Sequence, residues 1–143
     1  MDLKAVMKRV ELFQGLNDVQ LDQIMKIGHQ DVSDVGAVIV AQGSEGEAMY
    51  VVGKGQVEIQ IESESGSKYL AVYLGEGQVF GEMALIDKGK RSASVVVAED
   101  ETVIIRLAAD DFISLCSVDT AIGFILMRNL AQDLSFKLRH QNL

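Results

Sequence analysis

One acid and one arginine, nine residues apart, carry the clearest chemistry in this chain. They lie in the segment FGEMALIDKGKRSAS, residues 80–94. Glu82, when ionised, only accepts hydrogen bonds, which suits a hydroxyl and repels a phosphate. Arg91 supplies a planar, permanently charged fork matched to phosphate oxygens. Gly81 has no side chain to keep the backbone away from a ligand. Glu82, Met83, Ala84, Leu85 and Ile86 are expected to form a single helical turn with free N–H groups facing an anion. Two serines, Ser92 and Ser94, follow the arginine. Together these residue types read as a site for one sugar and one phosphate.

Three regions of the chain must hold that segment. Residues 1–27 have helical character: a first helix is expected over 3–10, with Leu12 and Phe13 packing down at its end. Asn17 and Gln20 form the pattern of a capping box and open a second helix with Val19, Leu21, Ile24 and Met25 among its apolar positions. Residues 28–108 hold eleven of the thirteen glycines and most of the β-branched runs. Strands are expected at 37–41, 49–52, 56–61, 69–74, 94–98 and 102–107, with turns at 43–46, 53–55, 63–67 and 75–77 between several of them. Gln56 to Ile61 alternates polar and apolar, as a strand with one wet face does. Many short antiparallel strands point to a sandwich, jelly roll or barrel, and the βαβ alternation of a doubly wound sheet is missing.

Residues 109–143 return to helix. A short one starts at Ala109-Asp110-Asp111, and 117–120 caps a long one. Along the long helix Ile122, Leu126, Leu130, Leu134 and Leu138 recur every four residues, widened by Ile125 and Met127. That stripe can cover the barrel, pair with the same helix of a second subunit, or do both.

The composition excludes several classes of function. With 143 residues the chain fits one domain over 1–143 with a proper core. The net charge of −8 opposes general affinity for nucleic acid, and the basic residues Arg128, Lys137 and Arg139 read as a solvated helix face. The longest apolar run, 121–127, is too short to span a bilayer. The amphipathic start MDLKAVMKRVELF lacks the apolar core of a secretion signal, so the cytoplasm is expected. Cys116 is the single cysteine and reads as a buried helix residue, with no internal disulfide possible. A metal-dependent jelly-roll enzyme needs clustered ligands, and only His29 and His140 are present, far apart.

Helices, a glycine-punctuated β region, the 80–94 segment, then a short and a long helix together resemble a cyclic nucleotide-binding domain. This is the module of the bacterial catabolite activator and its relatives, of protein kinase A regulatory subunits and of cyclic nucleotide-gated channels. The similarity spans essentially the whole chain. Its motif, F-G-E-x-A-L and then R-S-A, is supported by Gly43-x-x-Gly46-x-x-Met49-Tyr50-Val51-Val52 and by 55–59. The resemblance implies a mainly β fold: a double-stranded β-helix, or jelly roll, with N-terminal helices, a short phosphate-binding helix and a long C-terminal helix. It implies a cyclic nucleotide ligand, cAMP or cGMP, with no cofactor, no metal and no chemistry of its own. Glu82 then accepts from the ribose 2′-OH and Arg91 pairs with the exocyclic phosphate oxygens. Gly81, Met83 and Ala84 line the pocket, and Ser92 and Ala93 add contacts. Ser92 does not separate cAMP from cGMP.

By position in the same resemblance, Arg139, His140, Gln141 and Asn142 are candidates to meet the purine. The long helix acts as a lid and as a candidate homodimer interface. The residue before the arginine is often proline in this family, whereas here it is Lys90, which leaves the 87–90 loop freer and more basic. Two other readings stay open: a module that has lost its ligand and serves interaction or dimerisation, and the sensor part of a longer transcription regulator. A regulator of that kind needs a DNA-reading segment beyond Leu143.

Overall fold

The computed structural model describes residues 2–62, 69–87 and 89–140. The expected turn at 63–67 falls outside them. Among the described residues, eight strands form two antiparallel four-stranded sheets. They are β1 (Gly28–Ser33), β2 (Val38–Val40), β3 (Ala48–Lys54), β4 (Gln56–Glu62), β5 (Tyr69–Gly75), β6 (Val79–Phe80), β7 (Ser94–Val97) and β8 (Thr102–Ala108). One sheet has the order β1-β8-β3-β6 and the other β2-β7-β4-β5, giving the jelly roll expected from the strand pattern. Four α-helices flank it: α1 (Leu3–Lys8), α2 (Asp18–Ile27), α3 (Ala109–Val118) and α4 (Thr120–Arg139).

The first sheet is a middle layer, because β3 and β8 send alternate side chains to opposite cores. Met49, Val51, Val103, Ile105 and Leu107 pack under the helices. Val52 and Ile104 face the other way and join Val40, Val57, Phe80 and Val95 between the sheets. This double burial explains why β3 and β8 read as nearly continuous apolar runs while β4 alternates. Helices from both ends of the chain share the helical core: Met7, Phe13 and Ile24 lie in one cluster with Phe112, Ile122, Leu126 and Leu130.

Local signals set most helix ends. The Asn17–Gln20 capping box is present in full, with the Gln20 amide donating to Asn17 Oδ1 at 2.8 Å and the Asn17 amide to Gln20 Oε1 at 2.9 Å. Asp119 caps α4 by accepting from the Ile122 amide at 3.1 Å. The first helix stops at Lys8 rather than at residue 10, and a 3-10 turn over Glu11–Phe13 buries Leu12 and Phe13. The α4 stripe is only partly core. Ile122, Leu126 and Leu130 are buried and Leu134 is half-buried, but Leu138 is exposed because the helix runs past the end of the core.

Two strands escaped the sequence pattern. β1 is largely exposed along its middle, and six paired positions along β8 hold it by backbone bonds rather than by an apolar face. β6 is two residues long, too short for any periodicity. It nevertheless places Phe80 opposite Tyr50 and so delivers Gly81 to the rim of β3.

Candidate functional site

Gly81 has φ 77°, a left-handed conformation that suits glycine, and it starts a 3-10 turn over Glu82–Leu85. Consecutive residues of this turn face different surroundings. Leu85 is buried in the helical core, while Ala84 lines a cavity. The single helical turn expected here is of the 3-10 type, and one of its N–H groups is not free, since the Ala84 amide donates to the Gly81 carbonyl at 3.1 Å.

Arg91 approaches the same turn from the other side and is half-buried. Its Nη2 donates to the Ala48 carbonyl at 2.5 Å and its Nη1 to the Gly81 carbonyl at 3.3 Å. Tyr50 stacks on Phe80 with ring centroids 5.0 Å apart, and the guanidinium lies 5.9 Å from the Tyr50 centroid. A guanidinium has five N–H donors, so three remain for a ligand while two fix its plane. Two glycines make room for it. A Cβ on Gly46 would lie 3.2 Å from Arg91 Cζ, and one on Gly81 would lie 2.5 Å from Nη1.

The backbone around Arg91 is strapped to the 43–46 loop. The Arg91 amide donates to the Ser44 carbonyl at 2.6 Å, the Gly43 amide to the Arg91 carbonyl at 2.8 Å, and the Gly46 amide to the Gly89 carbonyl at 3.0 Å. These bonds make an isolated antiparallel bridge between Glu45 and Lys90. None of them uses the N–H of Lys90, so the strap does not depend on whether this position carries an N–H. Asp87 adds a turn of its own, accepting from the Gly89 amide at 3.1 Å.

All seven residues expected at the ligand, Gly81, Glu82, Met83, Ala84, Arg91, Ser92 and Ala93, line one cavity of about 550 Å³. The cavity has two characters. Arg91, Glu82 and Ser92 make a polar end, and Val40, Ile59, Leu74 and Val95 from the second sheet contribute an apolar wall. That combination fits a ligand with an anionic, hydroxylated end and a flat apolar end. Among the described residues no group of His, Cys, Asp or Glu is placed to hold a metal ion.

Sequence reasoning missed Lys137, which reaches the cavity from α4. Its Nζ lies 2.8 Å from Glu82 Oε1 and 3.0 Å from Asp133 Oδ2. Burial alone would lower the ammonium's pKa, but hydrogen bonds and charge from Glu82 and Asp133 outweigh it and hold Lys137 above its ordinary value. The Asp133–Lys137 spacing of four was visible as a helix-surface pair, but its link to a residue 55 positions earlier had no local signal. Ala48, Tyr50 and Gly46 were also unassigned; Gly46 and Tyr50 lay within the glycine-rich β pattern, with nothing to mark them as neighbours of Arg91.

Of the expected purine contacts, the two described ones, Arg139 and His140, do not line this cavity. Arg139 is exposed at the end of α4 and is not part of the lining. His140 stacks on Phe136 with centroids 4.1 Å apart, and its Nδ1 lies 2.8 Å from the Phe136 carbonyl. Gln141 and Asn142 lie outside the described residues. Cys116 is half-buried in α3, and burial pushes its thiol pKa up.

A family model for the cyclic nucleotide-binding domain matches residues 34–119, which includes both the 43–46 strap and the 80–94 segment. The chain belongs to the cyclic nucleotide-binding domain family. Within that family it is 34% identical over 137 residues to the cyclic AMP receptor protein of Thermus thermophilus, covering 96% of this chain and 61% of that protein. It is 36% identical over 114 residues to a cyclic nucleotide-gated potassium channel of Rhizobium etli, covering 80% of this chain and 30% of the channel. The crystal structure of the Thermus thermophilus catabolite activator protein superposes with a TM-score of 0.81 at 33% identity, over 90% of this chain and 58% of that one. The chain thus spans less than two thirds of the length of these relatives. Its mainly antiparallel β fold with a long closing helix is the fold of this cyclic nucleotide-binding domain family. No described helix is long and apolar enough to cross a membrane.

Proposed function

We propose that this domain binds a purine cyclic nucleotide, cAMP or cGMP, in the cavity at the 3-10 turn, and that it acts by binding rather than catalysis. The observation that carries this reading is the pairing of Arg91 and Glu82 on one cavity, the arginine held flat by two backbone carbonyls. Arg91 takes the exocyclic phosphate oxygens with its remaining donors. Glu82 accepts from the ribose 2′-OH. Gly81, Met83 and Ala84 lie along the sugar-phosphate, Ser92 and Ala93 complete the phosphate side, and the base lies toward the apolar wall of the second sheet.

In this reading residues 1–143 work as one unit and α4 is the reporter. Ala84 lines the cavity while Leu85 belongs to the same helical core as Ile122 and Leu126, so the turn lies between a ligand and the core that carries α4. A ligand shifts that helix only by the difference in its affinity for the two arrangements. Arg139, His140, Gln141 and Asn142 stay as proposed purine contacts of a closed α4. Phe124 is 68% exposed and Leu138 57%, which favours α4 as a surface for a second copy. The likeness to a cyclic AMP receptor protein supports a sensor role in the cytoplasm, with any DNA reading left to other segments.

Calorimetric titration with cAMP, cGMP and 5′-AMP tests the proposal. One cyclic nucleotide is expected to bind each chain, more tightly than 5′-AMP. Arg91→Ala is expected to weaken that binding roughly thirtyfold or more, as truncating a desolvated charged partner does. Unchanged binding by Arg91→Ala overturns the role of Arg91. Absence of binding by the wild type to every cyclic nucleotide overturns the reading and favours a pure interaction domain.

A further inference from the structure

Lys137 and Glu82 form an ion pair at a boundary between two cavities. Beside the 550 Å³ cavity lies a second of about 920 Å³, between the 9–14 segment, the turn after β5 and α4. The two share Leu74, Val79, Glu82 and Lys137. Glu82's side chain is only 14% exposed, and among the described residues Lys137 is its one side-chain ion partner, through Oε1 at 2.8 Å. The carboxylate that faces the sugar position is therefore already held by a cation from the long helix.

We infer that Lys137 is a positioning residue that holds Glu82 in place for the sugar hydroxyl, so that ribose recognition and docking of α4 depend on the same carboxylate. This rests on the cyclic nucleotide reading above. A carboxylate offers about four acceptor sites on two oxygens, so a hydroxyl and an ammonium can share it. A neutral hydroxyl does not displace the ammonium, because the ammonium adds a full charge–charge attraction to its hydrogen bond while the hydroxyl brings only a dipole. Oε1 stays with Lys137 and Oε2 is left for the ligand. Lys137 is itself fixed from behind by Asp133 one turn earlier, so it presents a set position rather than a free chain. The coupling runs both ways: a ligand that fixes Glu82 also fixes the partner of Lys137 and steadies the end of α4.

The test compares cAMP with 2′-deoxy-cAMP, or the cGMP pair if cGMP is the tighter ligand, on wild type, Lys137→Met and Lys137→Arg. Lys137→Met keeps the length of the stem and removes the charge. It is expected to weaken the ribose ligand roughly fivefold, the scale of a partly exposed ion pair, and to change the deoxy ligand by less than about twofold. Lys137→Arg is expected to restore most of the lost discrimination. Amide exchange at 130–140 is expected to slow on binding the ribose ligand in wild type and to slow less in Lys137→Met. A denaturation midpoint for each variant reports whether the fold is retained. An unchanged ribose-to-deoxy ratio in folded Lys137→Met overturns the inference while leaving the cyclic nucleotide reading intact. Tighter ribose binding by that variant also overturns it, since lysine would then be a competitor. Wild type that binds neither ligand overturns the reading and the inference together.

Discussion

Replacing Gly81 by alanine separates backbone strain from collision at the centre of the site. Its φ of 77° is left-handed, and an L-residue held there costs about 1–2 kcal/mol. The new Cβ would also lie 2.5 Å from Arg91 Nη1 and 3.0 Å from the Ala48 carbonyl oxygen. Ala48 opens the ladder between the two inner strands of the first sheet, opposite Ala108, and is 1% exposed, so it does not yield. The guanidinium must move instead, by about 1 Å to reach ordinary contact, and its bonds to Ala48 and Gly81 lengthen. Gly77→Ala supplies the control. Gly77 has φ 84° and open space around its would-be Cβ, so it carries strain without collision.

Both variants are expected to lose about 1–2 kcal/mol in urea denaturation of the free protein, with Gly81→Ala the lower. Only Gly81→Ala is expected to lose ligand affinity, by about tenfold or more in calorimetric titration, since about 1.4 kcal/mol of displaced charge contact suffices. Equal affinity in the two variants would falsify the claim that this glycine exists to admit the arginine. Equal stability of Gly81→Ala and wild type would also refute it.

Two further outcomes follow from the packing of the helices. Asn129 Nδ2 donates to the Leu12 carbonyl at 2.8 Å and the Gln14 carbonyl at 2.7 Å, tying α4 to the N-terminal segment. Asn129→Ala should cost about 1–3 kcal/mol in denaturant unfolding, and a loss below about 0.5 kcal/mol would show that water replaces both bonds. Burial raises the Cys116 thiol pKa, so the thiol stays protonated to higher pH than a free one. Its alkylation by iodoacetamide near pH 8 should run measurably slower than that of a small free thiol. The sign for folding follows: as pH climbs past the ordinary thiol range, the unfolded chain loses this proton first, so this group's contribution to stability falls. Alkylation as fast as a free thiol would place Cys116 in water.

The candidate residues of the 80–94 segment could be read together because they are local. Residues 80–94 carry the glycine, the acid, the turn and the arginine within one short segment, and all seven expected residues share one cavity. Strand positions were legible where side chains carry the pairing: β4 alternates, and β3 and β8 are apolar on both faces. They were not legible where the backbone alone holds the strand. β1, GHQDVS, is held by its hydrogen bonds to β8 and needs no apolar face, and β6 is a two-residue pairing. The long α4 stripe was visible too, but the periodicity ran on to Leu138 after the core had ended, because period reports the helix and not what lies beside it.

By itself, then, the amino-acid order determined what a short stretch of chain can express: residue chemistry at fixed spacing, turn glycines, caps and the faces of strands and helices. The Asn17–Gln20 box and the Glu82–Arg91 spacing are of this kind, since each is contained in one short stretch of chain. Only the tertiary structure decided which distant groups meet. Ala48 and Gly81 lend their carbonyls to Arg91, Gly46 gives it room, and Lys137 takes hold of Glu82 from 55 residues away. The physical reason is that such contacts depend on where sheets and helices come to rest, which the whole core sets at once. A lysine on the wet side of a helix looks the same in sequence whether it meets water or the acid of a binding site.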